Sequence, residues 1–379
     1  MSARTSNGPG ILTRVFGSQW FVSVLAVLIA FVIGAVLIAL SGASVVDAYY
    51  AMFRGSIIDP NAATFVRQIK PLTDSLFYSI PLIISGLGLA LGFRAGLFNI
   101  GGKGQIIVGA LAAVWVGFAV SLPPVVHTLV ALLVAVIAGG LYGGIAGVLK
   151  AKTGANEVIV TIMLNSIATL GLGYVLAQKA WQVPGTNQPV TPKVADSAAF
   201  ARLLPAPFKL HVGFLVALVA LVAFWWLIER STLGFQIRAV GANAAAARTA
   251  GISVERITAI TMVLSGAFLG LAGANEALGT IGYVSRDVAG SIGFDAITVA
   301  LLGRNKTWGT FGAGLLFGAF KAGGYTMQAK GVPIDMILIL QSVIVLLIAA
   351  PALVRWLFRL PDVRALAANT RKGNADEHK

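Results

Sequence analysis

The chain has 379 residues, of which 57% are hydrophobic and only 11% charged, with a mean hydropathy of +0.86. A water-soluble domain carries about 25% charged residues, so this chain cannot cover a soluble surface. Its net charge of +14 sits in short segments between apolar runs, not on a folded basic surface of the kind that binds nucleic acid, and the absence of cysteine excludes disulfides, thiolate metal sites and cysteine nucleophiles.

This composition predicts an all-α, polytopic transmembrane bundle, because crossing ~30 Å of hydrocarbon takes ~20 apolar residues in a helix. Residues 1–20 read as a cytoplasmic tail. The first apolar run, Phe21 to Leu40, holds twenty residues without a charge. A cleaved signal peptide has only ~7–15 apolar residues, so this run reads as an uncleaved first span. Further spans are expected near 74–93, 105–122, 127–149, 158–177, 212–228, 257–278, 294–303, 310–328 and 335–354, about ten in all. The eighth is too short to cross alone and reads as a half-span or re-entrant segment, allowed where backbone is buried in protein. The transmembrane bundle thus covers 21–358, and the polar tail 359–379 is expected to be cytoplasmic and disordered.

An even number of spans puts both termini on one side. The segments on that side carry eighteen Lys and Arg against nine on the other, which orients both termini to the cytoplasm. Two outer loops, near 41–73 and 178–211, are long. The second contains Pro184, Pro189, Pro192, Pro205 and Pro207, which disfavour a helix. Asp74 and Asp335 fall at predicted helix starts, where a carboxylate caps free N–H groups.

Glycine accounts for 44 residues. Many stand four apart, as in Gly139/Gly143, Gly143/Gly147, Gly266/Gly270 and Gly314/Gly318. Such spacing makes a flat helix face along which backbones approach closely. It serves either tight packing of the bundle or a contact between subunits.

Two interruptions of the apolar pattern carry functional information. Between the second and third spans, Asn99 to Gly104 includes three glycines and cannot hold a regular helix. Broken helices of this kind often line transport paths; the bland reading is a cytoplasmic turn. No P-loop is present, since Gly104 follows Lys103 where Ser or Thr would be required. The second interruption is "TLGFQIRAVGANAAAARTAGISVER", Thr232 to Arg256, within an inner loop 229–256. "ANAAAARTAG" reads as a short helix with Asn243 as N-cap and Gly251 at its C-terminal end. Its alanine face suits docking into a cleft of another protein, or else it is a solvated loop helix.

"LGFQIRAVGANAAAARTAGI" resembles the cytoplasmic loop of permease subunits in the branched-chain amino acid, ribose and nucleoside branch of ABC importers. "GFDAITVALLGRNKTWGTFGAGLLFGA" (293–319) and "GLFNIGGKGQIIVGA" (96–110) are similar to further motifs of that family. "GANEVIVTIMLN" (154–165) matches its nucleoside and simple-sugar subgroup. Ribose permeases carry an Asp-Leu-Ser type sequence where this chain has Asn99-Ile100-Gly101, and that departure favours the nucleoside-type subgroup. The resemblance covers roughly 72–350. It implies a coupling helix that fits a groove on a cytoplasmic ATPase, with Arg238, Gly241, Asn243, Ala246, Ala247 and Gly251 in the contact. It also implies a second related permease subunit in a heterodimer and a periplasmic or lipoprotein binding protein that delivers substrate. The chain would sit in a bacterial cytoplasmic (inner) membrane and would not be an enzyme. It would bind no cofactor, with ATP and Mg held by the partner ATPase.

Charged residues inside spans are functional candidates. Glu276 and Lys321 have similar predicted depth and opposite sign, and are expected to pair or else to snorkel outward. Asp295 either caps the eighth half-helix or faces the path. His127 and His211 stand isolated, without the convergent ligands a metal needs. Aromatic and amide side chains suit a nucleobase and ribose, so the candidate substrate path comprises Phe98, Asn99, Gln105, Asn165, Glu276 and Asp295. Nucleosides are the expected cargo, with simple sugars such as ribose as the alternative. An ion-coupled secondary transporter is a separate class, disfavoured by the scarcity of ionisable residues near the midplane.

Overall fold

The computed structural model describes residues 19–329 and scattered positions from 331 to 347. The tail 359–379, nearly all of the tail 1–20, Asp335 and most of the span expected at 335–354 lie outside the described residues. Two units divide the chain, Met1–Ala51 with Met327–Lys379, and Met52–Thr326. In the first, α1 (Gln19–Leu40) precedes the start of α2 (Val45–Ser56). Ser44 Oγ accepts the Asp47 N–H at 3.3 Å, and the Tyr49 hydroxyl donates to the Phe31 carbonyl.

The second unit contains α3 (Phe65–Arg94), α4 (Gly102–Ala119), α5 (Val126–Thr153), α6 (Glu157–Ala177) and α7 (Gly213–Trp225). It continues with α8 (Thr232–Ala242), α9 (Ala244–Thr249), α10 (Val254–Asn275), α11 (Ile292–Leu302) and α12 (Thr307–Gln328). α7 and α10 each run on through a π turn, Trp226–Arg230 and Glu276–Thr280. No strand occurs among the described residues beyond an isolated bridge between Arg202 and His211. By length and composition, six helices among the described residues can cross a membrane: α3, α4, α5, α6, and α7 and α10 with their π turns. The apolar stretches Val27–Leu40 and Ile292–Leu302 are shorter.

α10 is the centre of the second unit, packed on α5, α4 and α3. Lipid gives helices no hydrophobic drive to associate, so close backbone approach has to supply the contact. Glycine provides it. A Cβ on Gly139 would lie 2.5 Å from the Gly266 carbonyl oxygen, and one on Gly270 2.3 Å from that of Ala135. Gly273 meets α4 in the same way, 2.1 Å from the Ile106 carbonyl. Gly314 and Gly318 seat α12 on α3 against Ile83 and Ser75. These four-residue stripes are therefore consumed within the chain, not presented to another subunit.

The two long segments expected between spans differ in kind. The loop expected at 41–73 is largely helical: α2 occupies part of it, and α3 begins at Phe65, nine residues before the expected start at 74. Thr64 caps α3 by accepting the Arg67 N–H at 3.4 Å, and the helix runs through Pro71 and Pro81. Asp74 consequently lies inside α3 and not at its start, and it pairs with Lys70 one turn earlier. The proline-rich loop 178–211 is irregular apart from a short 3₁₀ turn at Lys179–Trp181. Its backbone folds onto the helix ends, with Ala195 N–H on the Gly117 carbonyl (2.8 Å) and Phe200 N–H on that of Leu278 (3.0 Å).

α11 is the half-helix. A Cβ on Gly293, in its first turn, would lie 2.5 Å from the Lys103 amide nitrogen at the start of α4. α11 therefore begins inside the bundle. Its 11 residues extend about 16 Å, half of what a membrane requires.

Candidate functional site

The chain leaves α3 through Gly96, whose φ of +73° is open to glycine without the steric penalty of a Cβ. It then turns back along α3 and enters α4 at Gly102. The break expected at Asn99–Gly104 therefore ends earlier than the glycines suggested. Gly102 to Gly104 are helical because free N–H groups there are met from outside, as that of Gly104 is by Asn165. This break exposes backbone groups that have to be met inside the protein. α6 meets them with three side chains spaced four residues apart, hence on one helical face. Glu157 Oε1 accepts the Phe98 N–H (3.3 Å) and Thr161 Oγ1 the Ile100 N–H (3.2 Å). Asn165 does two jobs: Oδ1 accepts the Gly104 N–H and Nδ2 donates to the Ile100 carbonyl, both at 2.8 Å. Asn99 donates to Gln105 Oε1 (3.1 Å) and Ser265 Oγ (3.0 Å), and its own oxygen accepts the Gly101 N–H at 2.9 Å. Asn99, Gln105 and Asn165 are thus brought together and buried, with their amides engaged by the break. Phe98 stands half-exposed, its ring 4.9 Å from that of Phe93.

Glu276 and Asp295 lie apart from that network, in a charged cluster built from three elements. Glu276 opens the π turn after α10 and is 6% exposed. Its Oε1 accepts from Thr280 Oγ1 at 3.1 Å. Asp295, in the first turn of α11, accepts from Ser291 Oγ at 2.7 Å. Lys321 of α12 acts electrostatically on both carboxylates, and its Nζ lies 5.9 Å from the centre of the Tyr78 ring. Among the described residues no direct ion pair within 4.0 Å joins Lys321 to either acid. The expected Glu276–Lys321 couple is therefore a three-body arrangement, one cation shared at a distance by two carboxylates. Burial of Glu276 leaves no outward snorkelling.

The loop 229–256 folds as two short helices. Asn243 caps α9, accepting the Ala246 N–H at 3.0 Å. Gly251, at φ +80°, ends it: Ile252 N–H reaches the Ala247 carbonyl and Gly251 N–H that of Arg248, each at 3.0 Å, the paired bonds that close a helix through a left-handed residue. Ala246 faces outward and Ala247 is buried. α8 and α9 enclose an apolar cleft of about 550 Å³ lined by Phe235, Ala239, Ala246, Ala250 and Ile252 among others. Gly241 is turned the other way: a Cβ there would lie 2.0 Å from the Arg94 carbonyl oxygen. Arg238 Nη1 contacts Glu229 Oε2 at 3.1 Å. His127 is structural, held by Ser197 Oγ (2.8 Å) and the Val116 carbonyl (3.0 Å). Among the described residues no group of His and acids could hold a metal ion.

Sequence reasoning did not assign Glu157 and Thr161 to the break, nor Asp295 to Lys321. The four-residue spacing of Glu157, Thr161 and Asn165 was a usable signal for the first. For the second there was none, since it depends on three elements meeting.

The family described as "Branched-chain amino acid transport system / permease component" matches residues 72–349, from the third turn of α3 through the half-helix and beyond. The chain belongs to this family. It is 39% identical to the guanosine ABC transporter permease protein NupP of Bacillus subtilis, over 89% of this chain and 95% of that one. The glucose ABC transporter permease protein TsgB13 of Haloferax volcanii is 36% identical over 85% of each. The nucleoside ABC transporter permease protein NupB of Lactococcus lactis is 31% identical over 92% of this chain and 95% of that one. No solved structure matches. The chain is accordingly a multi-pass membrane permease component of the ABC class and not itself an enzyme, ATP hydrolysis in such systems belonging to separate ATPase subunits.

Proposed function

We propose that this permease translocates nucleosides across a bacterial cytoplasmic (inner) membrane, as one of two related permease subunits driven by a cytoplasmic ATPase and supplied by an external binding protein. The observation that carries the substrate class is the 39% identity to a guanosine permease along nearly the whole of both chains. Both termini are cytoplasmic in this reading, with about ten spans. The second permease is a related, shorter chain in a heterodimer. This chain binds no cofactor, and ATP with Mg belongs to the partner ATPase.

α9 is the element that enters the ATPase. Its outward alanine face and the apolar cleft beside it support that role for Ala246, while Asn243, Ala247 and Gly251 shape the helix. Arg238 and Gly241 hold α8 against the bundle. The path runs past the Glu276–Lys321–Asp295 cluster, whose donors and acceptors suit the hydroxyls and N–H groups of an uncharged polar solute. Phe98, Asn99, Gln105 and Asn165 form the support beneath it, since the break they brace carries the start of α11. A sugar cargo is the second reading, favoured by the 36% identity to a glucose permease.

Proteoliposomes containing both permeases and the ATPase, given the binding protein, are expected to take up labelled guanosine when ATP is present inside, with or without an uncoupler. Excess uridine competes and excess glucose does not. Uptake that proceeds without the ATPase, or collapses with the uncoupler, rules the reading out; competition by glucose alone transfers it to sugars.

A further inference from the structure

Arg94 was not among the candidate residues, yet four elements meet on it. It is the last residue of α3. Its Nε donates to the Asn305 carbonyl at 2.7 Å, in the connection between the half-helix α11 and α12. Its Nη2 lies 3.8 Å from Glu229 Oε1, in the π turn that joins α7 to α8. The other oxygen of Glu229 accepts from Arg238 of α8 at 3.1 Å. The backbone of Arg94 is the surface on which Gly241 rests, so closely that a Cβ at 241 would stand 2.0 Å from its carbonyl oxygen. α8 therefore reaches α3 through a close backbone contact and a bridging carboxylate at the same residue.

The Asn305 contact falls on a distinctive piece of backbone. Arg304 and Asn305 both have left-handed φ, +54° and +55°, a conformation that Asn tolerates and Arg disfavours. A non-glycine pair held there needs external support, and the Arg94 guanidinium supplies a charge-assisted hydrogen bond to it. A planar guanidinium with several fixed donors can serve the carbonyl and the carboxylate together; an ammonium is a point charge on a flexible stem and cannot reproduce both directions.

We propose that Arg94 is the positioning residue that transmits movement of the α8–α9 loop to the half-helix α11, and so couples ATP hydrolysis to opening of the path. The proposal rests on the importer reading above. When the ATPase moves α9, α8 carries Gly241 and Glu229 with it. Arg94 then draws on the Asn305 carbonyl and shifts the connection that ends α11, whose first turn bears Asp295. Arg94 touches neither ATP nor substrate.

The test compares Arg94→Lys, Arg94→Ala and Glu229→Gln in the reconstituted complex, reading ATP hydrolysis and guanosine uptake on the same sample. The wild type is measured first with and without the ATPase: uptake without it overturns the importer reading and this proposal together. With that control met, Arg94→Lys is expected to assemble with the ATPase and to hydrolyse ATP near the wild-type rate. Its uptake per ATP falls about tenfold or more, the scale of one lost hydrogen bond to a charged group. Glu229→Gln, which keeps an acceptor, falls less. Wild-type uptake per ATP in Arg94→Lys overturns the role of Arg94 alone. So does a loss of hydrolysis and uptake in equal proportion in both Arg94 variants, which marks a residue needed only for folding or assembly.

Discussion

Asn165 serves two backbone groups on either side of one break, and that makes it vulnerable to substitution. Replacing it with Leu, of similar size, strands the buried Gly104 N–H and the half-buried Ile100 carbonyl. Each unmet group costs about 1–3 kcal/mol. Asn165→Leu is thus expected to lower the unfolding temperature in detergent more than Thr161→Val, which strands one; equal midpoints would contradict the account of the break. His211, just ahead of α7, offers a pH prediction. Its ring lies between Phe77 and Phe200 at 5.4 and 5.5 Å, is 2% exposed, and accepts the Gly213 N–H on Nδ1. Burial pushes its pKa down to about 4, so the folded state holds it neutral where an unfolded chain is protonated. Between about pH 6.5 and 4 the unfolded state binds the extra proton, and stability falls with pH by at most about 1.4 kcal/mol per unit. His211→Gln should flatten that part of a melting-temperature profile; a slope unchanged from wild type assigns the dependence elsewhere. The amides Asn99, Gln105 and Asn165 were visible in the sequence as polar residues in apolar surroundings. What they bond to was not, because their partners are backbone groups freed by a turn whose path only the folded chain defines.

The elements divide along a physical line. Where a boundary is set by local chemistry, the sequence is readable. Asn243 and Gly251 bracket α9 because a side-chain oxygen meets free N–H groups at one end and a left-handed residue closes the other. Where tertiary contact decides, it is not. Asp74 read as a helix start, yet the helix starts at Phe65, and its early part is held by the segment before it: Gln68 Nε2 donates to the Ala62 carbonyl at 3.2 Å. α9 also yields a paired prediction. Ala246→Glu alters an exposed face, so the melting temperature should stay within a degree or two while the ATPase no longer co-purifies. Ala247→Glu forces a carboxylate into a buried position and should lower stability by several kcal/mol. Retention of the ATPase by Ala246→Glu, at wild-type stability, would remove α9 from the interface.

At the scale of the whole molecule, the class of protein followed from hydropathy alone, while the charge cluster did not. Glu276, Asp295 and Lys321 are far apart in the chain and converge only because α11 starts midway through the bundle. Lys321→Met leaves the buried Glu276 and the half-buried Asp295 without the cation they share and is expected to destabilise the protein on the order of 1–3 kcal/mol, with a matching loss of guanosine uptake. Adding Glu276→Gln to it removes one of the stranded charges and should recover part of that stability. A double variant less stable than Lys321→Met would show that the three side chains do not share one electrostatic balance.

The glycine contacts among α4, α5 and α10 carry a mechanical consequence. Side chains that interlock through rotamers can slip past one another in small steps. Backbones resting directly on backbones cannot, because every shift along the axis drives a carbonyl into a Cα. The three helices are thereby meshed at backbone contact, and sliding along their axes is resisted unless they first separate. A tilt of that block as one piece, with its give at the joints around it, is the motion these contacts oppose least.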